Sequence, residues 1–199
     1  MLNIPDSPYP RIVIIGAGFG GFNLAKKLAR KKFQVVLIDK YNYHQFQPLL
    51  YQVAMAGLEP SSIIFPLRKA FQRNKNVHIR ITEVEGVDHV KKKIDTKLGR
   101  IYYDKLVIAC GATTNFFGDK SFEEKTFSLK SLSESLFLRN AILTDLESAL
   151  MTPEYEKRQG YIDIVIVGGG ATGVELAGAL AEMKHYIIPK DYPELDENE

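Results

Sequence analysis

Cysteine is almost absent from this chain. Cys110 stands alone, which excludes a disulfide framework, a C-x-x-C redox pair and a cysteine zinc site; no metal site is expected. Long apolar runs are missing too, and none reaches the length needed to span a bilayer. The N-terminal MLNIPDSPYPR has no positively charged start and no apolar stretch of signal-peptide length. The chain as it stands is therefore expected to be cytoplasmic or peripheral. An excess of one charge is also lacking: 26 Lys and Arg against 24 Asp and Glu leave +2, which makes no case for nucleic acid. The basic run Lys26, Lys27, Arg30, Lys31, Lys32 lies on and just after a predicted helix, so a solvated face and helix C-terminus is the default reading, with a membrane-surface patch as the alternative.

What is present begins with glycine. An apolar run, Ile12 to Ile15, enters Gly16, Gly18, Gly20 and Gly21, with Gly16, Gly18 and Gly21 at G-x-G-x-x-G spacing. A helix-period pattern leaves it through Phe22, Leu24, Ala25 and Leu28. The order is strand, tight turn, helix: Gly16 for the turn, Gly18 so that backbone can approach a pyrophosphate, Gly21 for helix–strand packing. The free N–H groups of the first helical turn then face the phosphates, with the helix dipole in their favour. By itself such a motif also fits close packing alone. Two features strengthen it. A second apolar run, Gln34 to Ile38, ends in Asp39, about 20 residues on, where a carboxylate accepts from ribose hydroxyls. The device also recurs, as Ile162 to Val167 runs into Gly168, Gly169, Gly170 and Gly173, followed by a helical pattern from Val174 to Met183. Two such units suggest two nucleotide sites.

Between the two, Lys40 to Pro60 mixes aromatics, glutamines, His44 and Pro48 without a clean period and reads as a packed irregular loop, of the kind that lines a ligand crevice after a strand. For Leu49, Leu50 and Val53 the plainer role is hydrophobic packing. Ser61 or Ser62 is a candidate cap for a helix through Phe71, which Pro66 limits to first-turn geometry or a late start. Val77 to Val84, Gly86 to Ile94 and Arg100 to Tyr103 form an expected antiparallel meander turning at Lys97-Leu98-Gly99, placed where a doubly wound fold otherwise has a helix. Leu106 to Ala109 is a buried parallel strand by its apolar run, ending at Cys110 and Gly111. Asn115 to Leu129 is mixed, and Ser131 to Leu150 is an amphipathic helix with Leu132, Leu136, Ala141, Leu143, Leu146 and Leu150 as core candidates. The tail DYPELDENE is acidic and aperiodic.

The first glycine unit, the loop HQFQPLLYQVA (His44 to Ala54), the strand YDKLVIACGATTNFFG (Tyr103 to Gly118) and the second unit VIVGGGATGVELAGALAEM (Val165 to Met183) together resemble the type II NADH:quinone oxidoreductases, within the flavoproteins that carry two dinucleotide folds. The resemblance implies an α/β fold, an FAD/NAD(P)-binding Rossmann-like doubly wound parallel sheet with a three-strand meander, followed by the start of a second Rossmann unit. It divides the chain into an FAD-binding domain at 1–115 and an incomplete NADH-binding domain at 116–199. It implies that Gly16, Gly18, Gly20 and Gly21 hold the FAD pyrophosphate, Asp39 and Lys40 the adenosine ribose, and Val84, at the end of the first meander strand, adenine. His44 to Gln52 would pass the isoalloxazine, with Pro48, Leu49 and Gln52 closest, and Ala109 and Gly111 on its other side. Gly168, Gly170 and Gly173 would hold the NADH pyrophosphate, and Glu175 would sit near nicotinamide and flavin; its plainer role is first-turn helix electrostatics.

The activity so implied is hydride transfer from NADH to FAD and electron transfer onward to a quinone, with Glu175 and Gln52 as catalytic candidates. Disulfide reductases and sulfide:quinone oxidoreductases of related architecture need a cysteine pair beside the flavin, which this chain cannot form; for Cys110 the expected role is a small buried apolar residue. Family members are roughly twice as long, so the chain is expected to be an N-terminal piece. The parent would be peripheral on the inner face of the plasma membrane, touching it only through the missing C-terminal part, with room for a homodimer. The alternatives are a nucleotide-binding fragment without turnover and a two-Rossmann flavin reductase with another acceptor.

Overall fold

The computed structural model describes residues 3–195. In chain order the elements are β1 (Arg11–Ile15), α1 (Phe19–Leu28), β2 (Gln34–Asp39), β3 (Tyr43–Gln45), α2 (Leu50–Ala54), β4 (Ile64–Pro66), α3 (Leu67–Phe71), β5 (Val77–Ile81), β6 (Val84–Asp88), β7 (Lys93–Thr96), β8 (Gly99–Tyr102), β9 (Lys105–Ile108), α4 (Lys120–Lys125), α5 (Leu132–Leu150), α6 (Tyr155–Ile162), α7 (Ala171–Tyr186) and α8 (Ile188–Asp191). Short 3-10 turns at Gln47–Leu49 and Pro60–Ile63 flank α2. The chain forms two compact units, Met1–Gln45 with Ile64–Thr113, and Phe46–Ile63 with Thr114–Glu199.

The first unit is built on a parallel sheet in the order β5-β2-β1-β9. Its two inner strands are apolar at nearly every position because both faces are covered. Ile12, Ile14, Val35 and Leu37 pack with Phe22 and Ala25 of α1 and with Leu67 and Phe71 of α3. Val13, Val36 and Ile38 point the other way and pack on Ile94 of β7 and Ile101 of β8. The antiparallel sheet β6-β7-β8 thus stands in for the helix layer on that face. Its tight turn works as the sequence suggests, with Gly99 at φ 131° and the Thr96 hydroxyl donating to the Gly99 carbonyl at 2.7 Å.

The strand from Val77 is shorter than expected and differently employed. Val77–Ile81 joins β2 in parallel register, Val35 opposite Val77 through Asp39 opposite Ile81, and the meander starts only at Val84, which opens β6 instead of closing the strand before it. The helix expected from Ser61 or Ser62 takes the late start: Ile64–Pro66 pairs with Tyr43–Gln45 as a small hairpin, and α3 begins after Pro66, whose ring excludes the helical geometry at Phe65.

In the second unit α5 opens on a capping box. The Ser131 side chain accepts from the Glu134 backbone N–H, and the Glu134 carboxylate accepts from the Ser131 N–H at 2.8 Å. Leu132 and Leu146 are buried as expected, Leu143 is exposed, and Ser135 is buried instead, donating to the Ser131 carbonyl at 3.1 Å. Ala54, Met55, Leu146 and Met183 form the core. Because α2 supplies Ala54 and Met55 to that core, residues 46–63 fold with the second unit, whereas the sequence division assigned them to the first domain.

The strand expected at Ile162 to Val167 does not form. Ile162 ends α6, and residues 163–169 have no regular structure. Val165 is 84% and Val167 64% exposed. A parallel strand needs neighbours to take its N–H and C=O groups, and none pairs with this stretch among the described residues. No helix among them is long and apolar enough to cross a membrane.

Candidate functional site

The first glycine turn leaves the C-terminal end of β1, between β2 on one side and β9 on the other, the position at which open α/β sheets bind ligands. Its glycines divide into two kinds. A Cβ on Gly16, at φ 100°, would fall within the radius of the Ala109 carbonyl oxygen and 3.1 Å from the Cys110 Cα; one on Gly21 would overlap the Gly16 carbonyl oxygen and approach Ile14 Cγ2 at 3.1 Å. These two are required by packing. A Cβ on Gly18 or Gly20 would meet nothing within 4 Å, and both residues are exposed. Nothing inside the fold requires them to be bare, which fits a phosphate lying over the turn.

The turn is tied to the neighbouring strands through one residue. Ala17 is buried, and its N–H donates to Asp39 Oδ2 at 2.6 Å, while Asp39 Oδ1 accepts from the Tyr41 N–H at 2.8 Å. The Ala17 carbonyl accepts from His44 Nδ1 at 2.8 Å. The His44 ring lies flat on Phe22, centroids 4.4 Å apart and 7° between planes, with the Phe19 edge against it at 5.4 Å. Lys40 lies over the Tyr41 ring at 5.0 Å. Burial, with the nearby Tyr41 and Asp39, pushes the Tyr43 phenol above its ordinary range, so it stays neutral. Ala109 continues the β9 pairing, its N–H donating to the Ile15 carbonyl at 2.8 Å, and Gly111 follows at φ 71°.

The chain belongs to the pyridine nucleotide-disulphide oxidoreductase family. The family model matches residues 10–190. Among individual relatives, the type II NADH:quinone oxidoreductase Ndh of Mycobacterium tuberculosis is 37% identical over 190 residues, covering 94% of this chain and 41% of the relative. An external alternative NAD(P)H-ubiquinone oxidoreductase of Solanum tuberosum mitochondria is 29% identical, over 96% of this chain and 35% of its own length. The structure of NDH2 from Plasmodium falciparum in complex with NADH superposes with a TM-score of 0.87 at 29% identity, over 93% of this chain and 39% of that one. The chain thus spans about two-fifths of the length of the relatives it matches.

Within this family member the expected site residues are distributed over both units. Gly16, Gly18, Gly20, Gly21, Asp39, Lys40, His44, Val84, Ala109 and Gly111 lie in the first, and Pro48, Leu49, Gln52, Gly168, Gly170, Gly173 and Glu175 in the second. Pro48 sits in the 3-10 turn before α2 and is exposed; Leu50 and Val53 are buried, as hydrophobic packing requires. The Gln52 side-chain amide donates to the Tyr51 hydroxyl at 3.2 Å, and the Gln52 backbone carbonyl accepts from the Gly57 and Leu58 N–H groups. Val84, the first residue of β6, is half-buried against the cluster of Val13, Val36, Ile38, Ile94 and Ile101.

The second glycine turn repeats the backbone shape of the first but not its surroundings, since a Cβ on Gly168 would meet nothing within 4 Å. Gly168 is at φ 109°, and a Cβ on Gly173 would overlap the Gly168 carbonyl oxygen and come 3.5 Å from Ile166 Cγ2. Glu175 is exposed and lies past the first turn of α7, which carries no acid there; the expected first-turn role is therefore not realised. Cys110 is exposed as well, not buried, because it follows the end of β9, with Sγ 3.8 Å from the Ile15 carbonyl oxygen. The positions that sequence reasoning missed are Ala17, which has no side chain to announce it, and Phe22, whose helical period signalled only core.

Proposed function

We propose that this chain is the flavin-cradling part of a type II NADH:quinone oxidoreductase. The observation that carries the reading is the first turn, where Gly16 and Gly21 are bare for packing and Gly18 and Gly20 are bare toward open space. The similarity to NADH:quinone and NAD(P)H-ubiquinone oxidoreductases supports the choice of reaction. When bound, FAD supplies the redox chemistry, accepting a hydride from NADH and releasing two electrons to a quinone.

The chain's own groups would bind and orient. The N–H groups at Gly18 and along the first turn of α1 take the pyrophosphate; Asp39, which has lone pairs beyond the two in use, and Lys40 take the ribose; backbone at Val84 takes adenine. Ala109 and Gly111 would bound the isoalloxazine. Gly168, Gly170 and Gly173 would cradle the NADH pyrophosphate, with Glu175 toward the nicotinamide. On this division the first unit is the FAD-binding domain and the second holds the glycine turn of the NADH-binding domain. A quinone acceptor implies a parent peripheral to a membrane.

The deciding measurement is the visible absorption spectrum of the purified chain, followed by FAD titration. A flavin spectrum, or saturable FAD binding, is expected; absence of both overturns the reading. A longer parent should purify yellow and bleach on NADH, and Glu175→Gln in it should slow that bleaching more than it lowers flavin content. One observation favours a second reading, nucleotide binding without turnover: the second glycine turn stands without its strand. NADH-to-quinone activity from these 199 residues would exclude it. If the parent turns over ferredoxin and not menaquinone, the acceptor is wrong and the flavin cradle stands.

A further inference from the structure

The family resemblance implies a place for His44 near the flavin ring; its own contacts give it a further task. We propose that His44 is a positioning residue for the phosphate-binding turn, setting the direction of the Gly18 N–H through the peptide plane it shares with the Ala17 carbonyl. The inference rests on the reading of the first turn as a dinucleotide cradle.

The argument is one of peptide geometry. A trans peptide is planar, with its C=O and N–H pointing in opposite directions, and the chain has no cis peptide among its described residues. A carbonyl can only accept, so His44 Nδ1 must carry the proton it shares with the Ala17 oxygen at 2.8 Å. With that oxygen drawn toward His44, the Gly18 N–H of the same peptide is turned away from it, on a residue that is exposed. Asp39 does the same for the preceding peptide: it holds the Ala17 N–H at 2.6 Å, and the Gly16 carbonyl is thereby turned onto Gly21, where a Cβ would overlap it. Ala17 is held at both backbone groups by side chains 22 and 27 residues away. His44 is itself fixed by stacking on Phe22 and by its place opposite Phe65 in the β3–β4 hairpin.

The second turn supplies an internal comparison. It reaches the same backbone shape, Gly168 at φ 109° against Gly16 at 100°, with Gly169 where the first turn has Ala17, and among the described residues no acid or histidine side chain bonds to Gly169. The pair of side chains is therefore not needed to form the turn. What it adds is a fixed direction for two peptides before any ligand arrives, which spares the binding step the cost of ordering them.

Two substitutions separate donor from ring. His44→Phe keeps the stack and removes the N–H; His44→Asn keeps an N–H at the reach of Nδ1 and removes the ring. FAD titration of the 199-residue chain should show about three- to tenfold weaker binding for His44→Phe, the range of one lost hydrogen bond, and near wild-type binding for His44→Asn. In the ligand-free chain, the carbonyl carbon resonance of Ala17 and the amide exchange of Gly18 should change in His44→Phe and return toward wild type in His44→Asn. Wild-type affinity in His44→Phe, or no recovery in His44→Asn, overturns the proposal. Loss of fold in both also overturns it, since a positioning residue leaves the turn standing. If the wild-type chain binds no FAD, the flavin reading fails, and the Ala17 resonance still decides: unchanged in His44→Phe, it overturns the positioning role; shifted there and restored in His44→Asn, it sustains it.

Discussion

Gly16 and Gly18 stand two positions apart and answer to opposite demands. Gly18 has φ −66° and ψ −169°, which any residue can adopt, so Gly18→Val should fold, at a cost of about 1 kcal/mol or less at the N-cap. Its branched side chain would occupy the space above the turn, and FAD titration should then show no saturable binding. Gly16 combines φ 100° with a wall of Ala109 backbone. Gly16→Ala should therefore cost about 2–5 kcal/mol, the left-handed conformation and the overpacking together, read as a lower urea midpoint. The same run of glycines in sequence thus contains two that packing requires and two that face open space. Only the atoms around each one, brought there by β9 and α1, tell them apart.

At the scale of elements, the two glycine units have the same local grammar and different fates. β1 lies between β2 and β9, and its residues are buried on both faces. The corresponding stretch before Gly168 has an equally apolar sequence but no strand partner among the described residues, and it stays irregular and largely exposed. Hydrogen exchange should show this directly: amides of Val13 to Ile15 protected by orders of magnitude, those of Val165 to Val167 exchanging nearly as in free peptide. In a longer chain that supplied flanking strands the second set should become protected. α7 nonetheless forms, since a helix satisfies its own backbone, and α5 forms for the further reason that Ser131 and Glu134 close its first turn.

At the scale of the whole molecule, acid stability is set in part by His78. It lies on β5 opposite Val36, and burial, with the Arg80 and Arg11 charges, lowers its pKa below the ordinary 6.5. The unfolded chain therefore takes up that proton at higher pH than the fold does, so stability is present in full above 6.5 and is lost as pH falls through the folded value. Asp95 acts with the same sign at lower pH, its carboxyl held below the ordinary 3.8 by its hydrogen bond to Lys93 and by the Lys93 and Arg100 charges. His78→Gln should flatten the dependence of Tm on pH between about 5 and 7 and leave the more acidic limb. By itself the sequence determined the α/β class, both glycine turns, the turn at Lys97 to Gly99 with its last strand, and the α5 helix, because each is written in residues close along the chain: glycine spacing, a turn glycine, an apolar period. Tertiary structure alone decided that residues 46–63 pack with the second unit, that β5 joins the parallel sheet, that Cys110 is exposed, that a good strand sequence before Gly168 remains unpaired, and that His44 and Asp39 meet on Ala17. Each of those depends on which distant backbone or side chain stands opposite, and a hydrogen bond between residues 17 and 44 leaves no pattern along the chain.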